Sequence, residues 1–157
     1  MVEKETNQVE EKKKRKILFR GRTIDGVWIE GYLHQALDVE NKVVHTMIMR
    51  NMTNIDVFNG KPFQASYIVD ENSVGQFTGL YDKNGKPIFE GDIIREIDFW
   101  DKPEDYTRQV EWKDTSCGFE PFSDSEENCG HCGGGVIPGD CVVVGNIHDN
   151  PELLEVK

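Results

Sequence analysis

Hydrophobic and polar residues alternate with a period of two in several short segments of this chain. Val27–Leu33 and Asp92–Phe99 both follow this pattern, as a strand with one half-buried face should. Val43–Arg50 is rich in branched and apolar residues, which also favours a strand. No segment shows a long amphipathic helical period. The pattern therefore predicts a mainly β fold with short helices at most.

Glycine-containing pairs mark the turns between these segments. The Asp-Gly pair at 25–26 separates a strand expected over residues 16–22 from the strand over 27–33, so a β-hairpin is predicted. The Asn-Gly pair at 84–85 predicts a second tight turn. Gly91 predicts a bend or bulge where the next strand begins.

Further elements are expected on either side of these turns. The "FNGKPF" stretch at 58–63 is expected to interrupt regular structure. Later strands are predicted in "RQVEW", "CGFEPF" and "CVVVGNI". Near the end, Asn150 is expected to cap a short helix that begins at Pro151. An "EGDII" entry into a strand also occurs in small SH3-like barrels, so the expected architecture is a small barrel-like antiparallel sheet of that kind.

Charge is distributed unevenly along the chain, whose formal net charge is −11. Residues 1–22 carry eight basic and four acidic side chains, whereas the remaining 135 residues carry ten basic and twenty-five acidic ones. An acidic surface repels phosphate, so nucleic-acid binding by the body of the protein is disfavoured. The basic run at 12–16 is expected to be part of a solvated tail, and contact with nucleic acid or an acidic partner is the alternative.

These patterns also suggest how the chain is divided. We expect a charged N-terminal tail over residues 1–16 and a mainly β domain over 17–157. A subdivision of this domain near residue 70 would separate an N-terminal hairpin region, 17–70, from a barrel-like region, 71–157. No apolar run approaches the length of about eighteen residues that a membrane span needs. The N-terminus also lacks the apolar region of a secretory signal, so a cytoplasmic protein with reduced cysteines is expected.

The "CGHC" stretch at 129–132 is the one local motif that suggests chemistry. Disulfide oxidoreductases also contain the sequence Cys-Gly-His-Cys. Their first cysteine lies at the N-terminus of a helix, whose dipole lowers the pKa of the thiol. In this chain three glycines and Pro138 follow the motif. Each glycine costs about 1 kcal/mol in a helix interior, and no βαβ pattern surrounds the motif. A thioredoxin-like site is therefore disfavoured.

Zinc binding fits the motif better. Cys-x-x-Cys-Gly is the form of a zinc knuckle, and a structural zinc site takes four ligands. Cys129 and Cys132 are flanked by Cys117 and Cys141, so these four thiolates are the candidate ligand set, with His131 as an alternative donor. In the competing interpretation, Cys117 and Cys141 are small buried groups on strands and the other two are free thiols. The sequence leaves both interpretations open.

Other candidate chemistry is weaker. The sequence holds no nucleophile elbow, P-loop, Rossmann glycine pattern or HExxH motif. His45 lies in a strand-like segment and His148 in a loop after the last predicted strand. Asp92, Glu96 and Asp98 share one face of a predicted strand, but cation sites usually draw their oxygen ligands from sharply turned loops. A solvated strand face is therefore expected for these carboxylates, and enzymatic activity is not.

Several longer blocks resemble the YopX family of phage and prophage proteins. The blocks are "ILFRGRTIDGVWIEGYL", "SVGQFTGLYDKNGKPIFEGDII" and "VVVGNIHDNPELLE", and they occur in the family's order. The resemblance covers most of the chain from Ile17 to Glu155, with a less clear match over 34–70. It implies a small, mainly β, phage-encoded protein of a bacterial host cell. It supplies no catalytic residues, because the family has no assigned biochemical activity.

Two functions of different classes follow. The first is a non-enzymatic phage accessory protein, an interaction module that engages a phage or host protein or a second copy of itself. The second is a zinc-stabilised module in nucleic-acid metabolism, whose basic N-terminal tail contacts the nucleic acid. The composition and the resemblance favour the first.

Overall fold

The structure is a computed structural model, and it describes residues 15–55, 62–97, 107–122 and 136–155. Strands dominate these residues, and the helical elements among them are single 3₁₀ turns. The strands are β1 (Phe19–Arg22), β2 (Trp28–Leu37), β3 (Val43–Ile55), β4 (Pro62–Ile68), β5 (Gly75–Tyr81), β6 (Pro87–Phe89), β7 (Asp92–Glu96), β8 (Thr107–Gln109), β9 (Glu111–Lys113), β10 (Gly118–Glu120) and β11 (Cys141–Asn146). The prediction of a mainly β fold is confirmed.

The largest unit is a six-stranded antiparallel sheet with the order β4-β3-β2-β1-β5-β6. Its first hairpin pairs Arg22 with Trp28, and Gly26 supplies the positive φ, 82°, that the turn requires. This confirms the hairpin predicted from the Asp-Gly pair. Because β5 pairs with β1, the sheet joins strands from both sides of residue 70, where a subdivision is expected.

A three-stranded antiparallel sheet with the order β11-β7-β8 and the hairpin of β9 and β10 complete the described strands. β7 is the central strand of its sheet, and its first three residues, Asp92, Ile93 and Ile94, are all buried. When both faces of a strand are covered, residues on both faces are buried, and buried and exposed positions no longer alternate. The alternating pattern therefore predicted a strand at this position, but not that both of its faces are covered.

Among the described residues, two hydrophobic clusters form the core. The first packs Ile29 and Ile48 of the large sheet with Val69. The second contains buried side chains from all three sheets and from the loops next to them, and it packs the sheets together. Its members are Ile88, Ile94, Val110, Phe119, Val136 and Cys141.

Asp82 links the turn between β5 and β6 to β11. Its carboxylate accepts hydrogen bonds from the backbone N–H groups of Asn84 at 2.8 Å, Lys86 at 2.9 Å and Val143 at 3.1 Å. Burial raises the pKa of this carboxyl group, but these three donors and the Lys86 charge outweigh burial, so the pKa lies below its ordinary value. Gly85 completes the turn with a φ of 77°, which confirms the turn predicted from the Asn-Gly pair.

Several details differ from the sequence-based expectations. The strands that the structure describes do not close into a barrel, so the barrel-like, SH3-like part of the predicted architecture is wrong for these residues. "RQVEW" forms two strands, β8 and β9, rather than one. Pro62 opens β4 instead of interrupting regular structure. The C-terminal helix is a 3₁₀ turn over Pro151–Leu154, and the Asn150 side chain makes no capping hydrogen bond to it.

Some expectations fall on residues outside the described ranges. Most of the predicted tail, residues 1–14, lies there, and so does the Asn-Gly pair at 59–60. Within the described ranges, no helix is both long enough and apolar enough to cross a membrane.

Candidate functional site

Arg20 of β1 joins the first sequence block of the family resemblance to the second, which contains Phe89 and Asp92. Its Nη1 is 2.6 Å from Asp92 Oδ1, and the Asp92 carboxylate also accepts a hydrogen bond from the Phe89 N–H at 2.8 Å. The guanidinium carbon lies 4.8 Å from the ring centre of Trp28 and 5.1 Å from that of Phe89. Such placement adds a cation–π attraction to the ion pair. The pair connects the six-stranded sheet with the three-stranded sheet.

Burial dominates the electrostatics of this pair. The Asp92 side chain is 1% exposed and the Arg20 side chain 11%. Burial raises the pKa of the Asp92 carboxyl group, and the nearby Arg20 charge and the Phe89 N–H offset only part of that increase. The Nε of Arg20 is buried without a hydrogen-bond partner. A pair so enclosed holds the sheets together and does not present itself to a ligand.

Asp149 ties the C-terminal block to the N-terminal hairpin. Its carboxylate accepts hydrogen bonds from Trp28 Nε1 at 2.7 Å and Asn146 Nδ2 at 2.8 Å, and Arg22 Nη1 lies 3.6 Å away. The hydrogen bonds from Asn146 and Trp28, and then the charges of Arg22 and His148, lower the pKa of Asp149. The His148 and Trp28 rings lie 5.8 Å apart. This cluster, like the buried pair, fixes one block of the chain against another.

An open groove lies between β5 of the six-stranded sheet and the hairpin of β9 and β10. Its volume is about 860 Å³. β5 contributes Phe77–Tyr81, and the hairpin contributes Trp112 and Cys117–Phe119. Phe122 and the pair Arg15 and Lys16 complete the lining. Because four separate segments form it, the groove depends on the sheets being packed together.

Each wall of the groove combines a buried ring with an exposed one. Phe77 and Tyr81 meet edge to face at 5.4 Å, and Trp112 and Phe119 do so at 5.2 Å. Phe77 and Phe119 are 3% and 8% exposed, whereas Tyr81 and Trp112 are 47% and 45% exposed. Edge-to-face pairs contribute about 0.5–1.5 kcal/mol beyond area burial. The buried rings therefore hold the exposed rings in place before any ligand arrives.

The backbone of β5 is irregular where it borders the groove. The pairing of β5 with β6 shifts register between Phe77 and Tyr81, and Gly79 between them has a φ of 91°. A β-bulge re-aims the side chains next to it. A methyl group at Gly79 would lie 3.9 Å from Arg15 Nε, so the Arg15 guanidinium group lies close to the bulge.

The described residues that line the groove carry a charge opposite to that of the protein as a whole. Arg15 and Lys16 are exposed at the edge of the groove. No Asp or Glu occurs among the described residues that line it. The Trp112 N–H donates to Asp114 Oδ1 at 2.9 Å, and the Thr78 hydroxyl donates to the Ile88 carbonyl at 2.9 Å. With these donors occupied, the groove offers aromatic faces and two cations, which are features of a binding surface.

Two of the four candidate zinc ligands lie in described parts of the chain, in unlike surroundings. Cys117 is exposed in the turn between β9 and β10, with a φ of 49°, and its thiol donates to the Asp114 carbonyl at 3.4 Å. Cys141 is fully buried at the start of β11. Burial, followed by the charges of Asp82, Glu96 and Asp140, raises the pKa of the Cys141 thiol to about 11.

Cys129 and Cys132, together with His131, lie outside the described residues. Within the described ranges, no group of three or more His, Cys, Asp or Glu side chains is placed to hold a metal ion. A four-cysteine zinc site needs both halves of the set. It therefore stays a prediction that requires a direct measurement.

The other residues singled out from the sequence have varied outcomes. The solvated face expected for the carboxylates of β7 is wrong for Asp92, which is buried in its ion pair. Glu96 is half-buried, 3.5 Å from Arg108 Nε, and Asp98 lies outside the described residues. His45 lies on β3 and His148 lies in the turn after β11, as the sequence predicts, and the His45 side chain is exposed.

Sequence reasoning missed the groove. Its exposed rings, Tyr81 and Trp112, are distant in sequence and stand in otherwise ordinary strands. One local signal was available, because Phe77 and Tyr81 occur four residues apart in a predicted strand with Gly79 midway. Two aromatic residues on one strand face, separated by a glycine, are a pattern that suggests a bulge beside a ring pair.

Comparison with known proteins assigns the family. A crystal structure of protein EF1440 from Enterococcus faecalis is similar to this chain, with 26% sequence identity and a TM-score of 0.49, and covers 90% of this chain and 100% of its own. No curated protein matches the chain significantly. The family model described as "YopX protein" matches residues 32–155, most of the length. The chain therefore belongs to the YopX family.

Proposed function

We propose that this protein is a non-enzymatic interaction module of phage origin, and that the aromatic groove between β5 and the β9–β10 hairpin receives a segment of a partner protein. One observation carries the proposal: two exposed rings, Tyr81 and Trp112, are held in place by buried rings on facing walls of an open groove. The resemblance of the chain to phage and prophage proteins supports the origin.

The physical basis is the cost of exposing large rings to water. Aromatic residues are enriched at protein interfaces, where a few Trp and Tyr side chains often supply most of the binding free energy. Rings that are already fixed lose little conformational entropy when a partner binds. A groove of about 860 Å³ falls within the range of about 300–1,000 Å³ that ligand sites occupy. These features favour binding of a narrow segment.

A random peptide display library panned against the full chain tests this proposal. The matched variants are Tyr81→Ala and Trp112→Ala in the groove, with Tyr32→Ala as the control, because Tyr32 is 54% exposed on β2 outside the groove. We expect enriched peptides that bind the wild type and Tyr32→Ala but bind the two groove variants about tenfold or more weakly. Absence of enriched peptides, or peptides equally retained by all variants, would refute the proposal.

The second candidate function is a zinc-stabilised module in nucleic-acid metabolism with a basic N-terminal tail. The basic run that ends at Arg15 and Lys16, both at the edge of the groove, is the observation in its favour. A labelled oligonucleotide would then shift in a salt-dependent manner. Removal of residues 1–14, which leaves the groove residues in place, would abolish the shift. The absence of any shift at low salt would exclude this function.

A further inference from the structure

We propose that the occupant of the groove is an extended, proline-containing peptide segment that carries an acidic residue beside its apolar part. This inference rests on the proposed function, because it identifies the chemistry of the partner that the same groove binds. Shape, backbone pairing and charge each contribute to the argument.

The backbone around the groove favours recognition through side chains. On one edge of β5, Phe77 and Tyr81 pair with Phe89 and Pro87 of β6, so a ligand in the groove cannot pair with the backbone on that edge. The pairing of β5 with β1 covers Gly75 and Gln76. The Trp112 N–H and the Thr78 hydroxyl both have partners within the protein. With these two donors occupied, the exposed faces of Tyr81 and Trp112 are the main apolar surface that the described lining offers to a ligand.

A proline-containing extended segment suits such a surface. Polyproline II segments dock into aromatic-lined grooves because they are already extended and lose little conformational entropy on binding. Proline rings pack flat against aromatic faces, and proline lacks the N–H that would seek a hydrogen-bond acceptor. Tyr81 and Trp112 supply these faces. Each ring is nearly half exposed and packs edge to face against a buried ring, Phe77 or Phe119.

The positive charge at the groove favours an acidic residue beside the apolar part of the ligand. Arg15 and Lys16 lie at the edge of the groove, whereas the rest of the chain from residue 23 carries a large excess of acidic side chains. An acidic side chain placed beside the apolar part of the ligand gains attraction from these two cations. A nucleic-acid strand has a charge at every phosphate and would extend past two cations onto an acidic body that repels it. A peptide with a single acidic patch is the better match.

The composition of the selected peptides tests the inference. Panning of the display library on the wild type is compared with panning on Arg15→Glu/Lys16→Glu, and with the control Lys83→Glu/Arg95→Glu. The control makes the same change in charge at exposed positions outside the groove lining. We expect peptides dependent on Tyr81 and Trp112 to be enriched in Pro and in Asp or Glu on the wild type and on the control. On the groove variant, the acidic preference should be lost or reversed to Lys and Arg.

Affinity measurements on the best selected peptide complete the test. Replacing its acidic residue by Lys, or its proline by Gly, should each weaken binding to the wild type about tenfold, and added salt should weaken binding of the acidic form only. Groove-dependent peptides without Pro or acidic enrichment would overturn this inference and leave the proposed function standing. An absence of groove-dependent peptides would overturn both.

Two further outcomes would assign the groove to a different occupant. A labelled single-stranded oligothymidine that binds the wild type, but not Trp112→Ala, would indicate stacking of bases on the exposed rings. A concentration-dependent dimer in sedimentation that is lost in Tyr81→Ala, but kept in Tyr32→Ala, would assign the groove to a second copy of the chain. Either result would overturn the assignment to a proline-containing acidic peptide.

Discussion

The Arg20 guanidinium group lies between an acidic partner and two aromatic rings, and the Arg20 side chain is 11% exposed. The attraction in such a pair often only balances the free energy lost when both charges leave water. Replacing one partner costs more stability than replacing both, because the remaining partner stays charged and buried. At the residue scale, this pair is therefore expected to be the most sensitive position in the described part of the chain.

Asp92→Asn and Arg20→Met should each lower the free energy of unfolding by about 3–5 kcal/mol. The double variant should lose clearly less than the sum of the two single variants, because it leaves no charge unpaired. Urea denaturation at neutral pH measures the free energy of unfolding of the two single variants and the double variant. Glu40→Gln is the control, because its ion pair with Lys42 is exposed and its loss should change stability by less than about 1 kcal/mol. Additive single effects would show that the two side chains do not act as a pair.

Asp149→Asn tests the ionised contact between the first and last blocks. The pKa of Asp149 is lowered from its ordinary value of 3.8 in the folded protein. Its charge therefore stabilises the fold above that ordinary value, and the contribution is lost as the pH falls through the lower folded pKa. Because the side chain is partly exposed, we expect the variant to be about 0.5–1 kcal/mol less stable at pH 7.

The pH dependence of that difference is the measurement. Urea titrations of the wild type and Asp149→Asn should converge as the pH is lowered below about 4, where the carboxyl group becomes protonated in the unfolded and then in the folded state. A difference that is the same at pH 7 and pH 3 would mean that the charge of Asp149 does not contribute.

The zinc hypothesis predicts a metal content that depends on four cysteine side chains. If Cys117, Cys129, Cys132 and Cys141 bind zinc, protein purified without chelator should contain one zinc ion per chain, and chelation should lower its stability. Each Cys→Ser substitution, including that of the exposed Cys117, should then abolish the metal content. If metal is absent, Cys117 should react rapidly with a thiol reagent in the native protein, and the buried Cys141 only after unfolding.

At the scale of elements, the turns were the most predictable parts of the molecule. The glycines of the Asp-Gly and Asn-Gly pairs, Gly26 and Gly85, have the positive φ angles expected of them, because the chemistry of a tight turn lies within a few residues. The break of "RQVEW" at Val110 was not predictable. Val110 is fully buried in the second cluster, and that burial depends on residues from three sheets.

The groove was unpredictable for the same reason. Tyr81 and Trp112 face one groove only because the six-stranded sheet and the β9–β10 hairpin pack against a shared core. Periodicity reports which face of a strand is buried, but it does not report which strands become neighbours. The barrel expectation was wrong for a related reason, since a short strand-entry motif contains no information about sheet closure.

Gly145→Ala should disturb the packing of the C-terminal 3₁₀ turn on β11. A methyl group at this position would lie 2.6 Å from Asn150 Oδ1 and 2.9 Å from Leu153 Cδ1. Overpacking of this kind costs about 1–3 kcal/mol. Gly139→Ala is the matched control, because nothing lies within 4 Å of its added methyl group. Thermal unfolding should show a lower midpoint for the first variant and almost no change for the second, and equal midpoints would contradict the packing argument.

At the scale of the whole molecule, β-pairing runs across the proposed subdivision. β1 pairs with β5, and the Phe77 N–H donates to the Leu18 carbonyl at 2.8 Å. Together with the ion pair of Arg20 and Asp92, these bonds join the regions on either side of residue 70. Cooperative unfolding of the two regions as one unit is therefore expected.

Two single-tryptophan variants measure this cooperativity. One retains Trp28, on the N-terminal side of residue 70, and the other retains Trp112, on the C-terminal side, with the remaining tryptophans replaced by Phe. Within each variant, urea transitions followed by fluorescence and by far-ultraviolet circular dichroism should coincide. A tryptophan transition that precedes or follows the loss of sheet signal would indicate that the two regions unfold separately.

The hydrogen bond from Trp28 to Asp149 spans 121 positions of the chain. On a ribosome, the first hairpin emerges well before the residue that completes its surroundings has been synthesised, since synthesis proceeds at about 5–20 residues per second. The Trp28 N–H and the Arg22 guanidinium group must therefore remain in water, or with temporary partners, for seconds after they leave the exit tunnel. The N-terminal hairpin of this protein can form early, but its native environment is among the last parts of the molecule to be assembled.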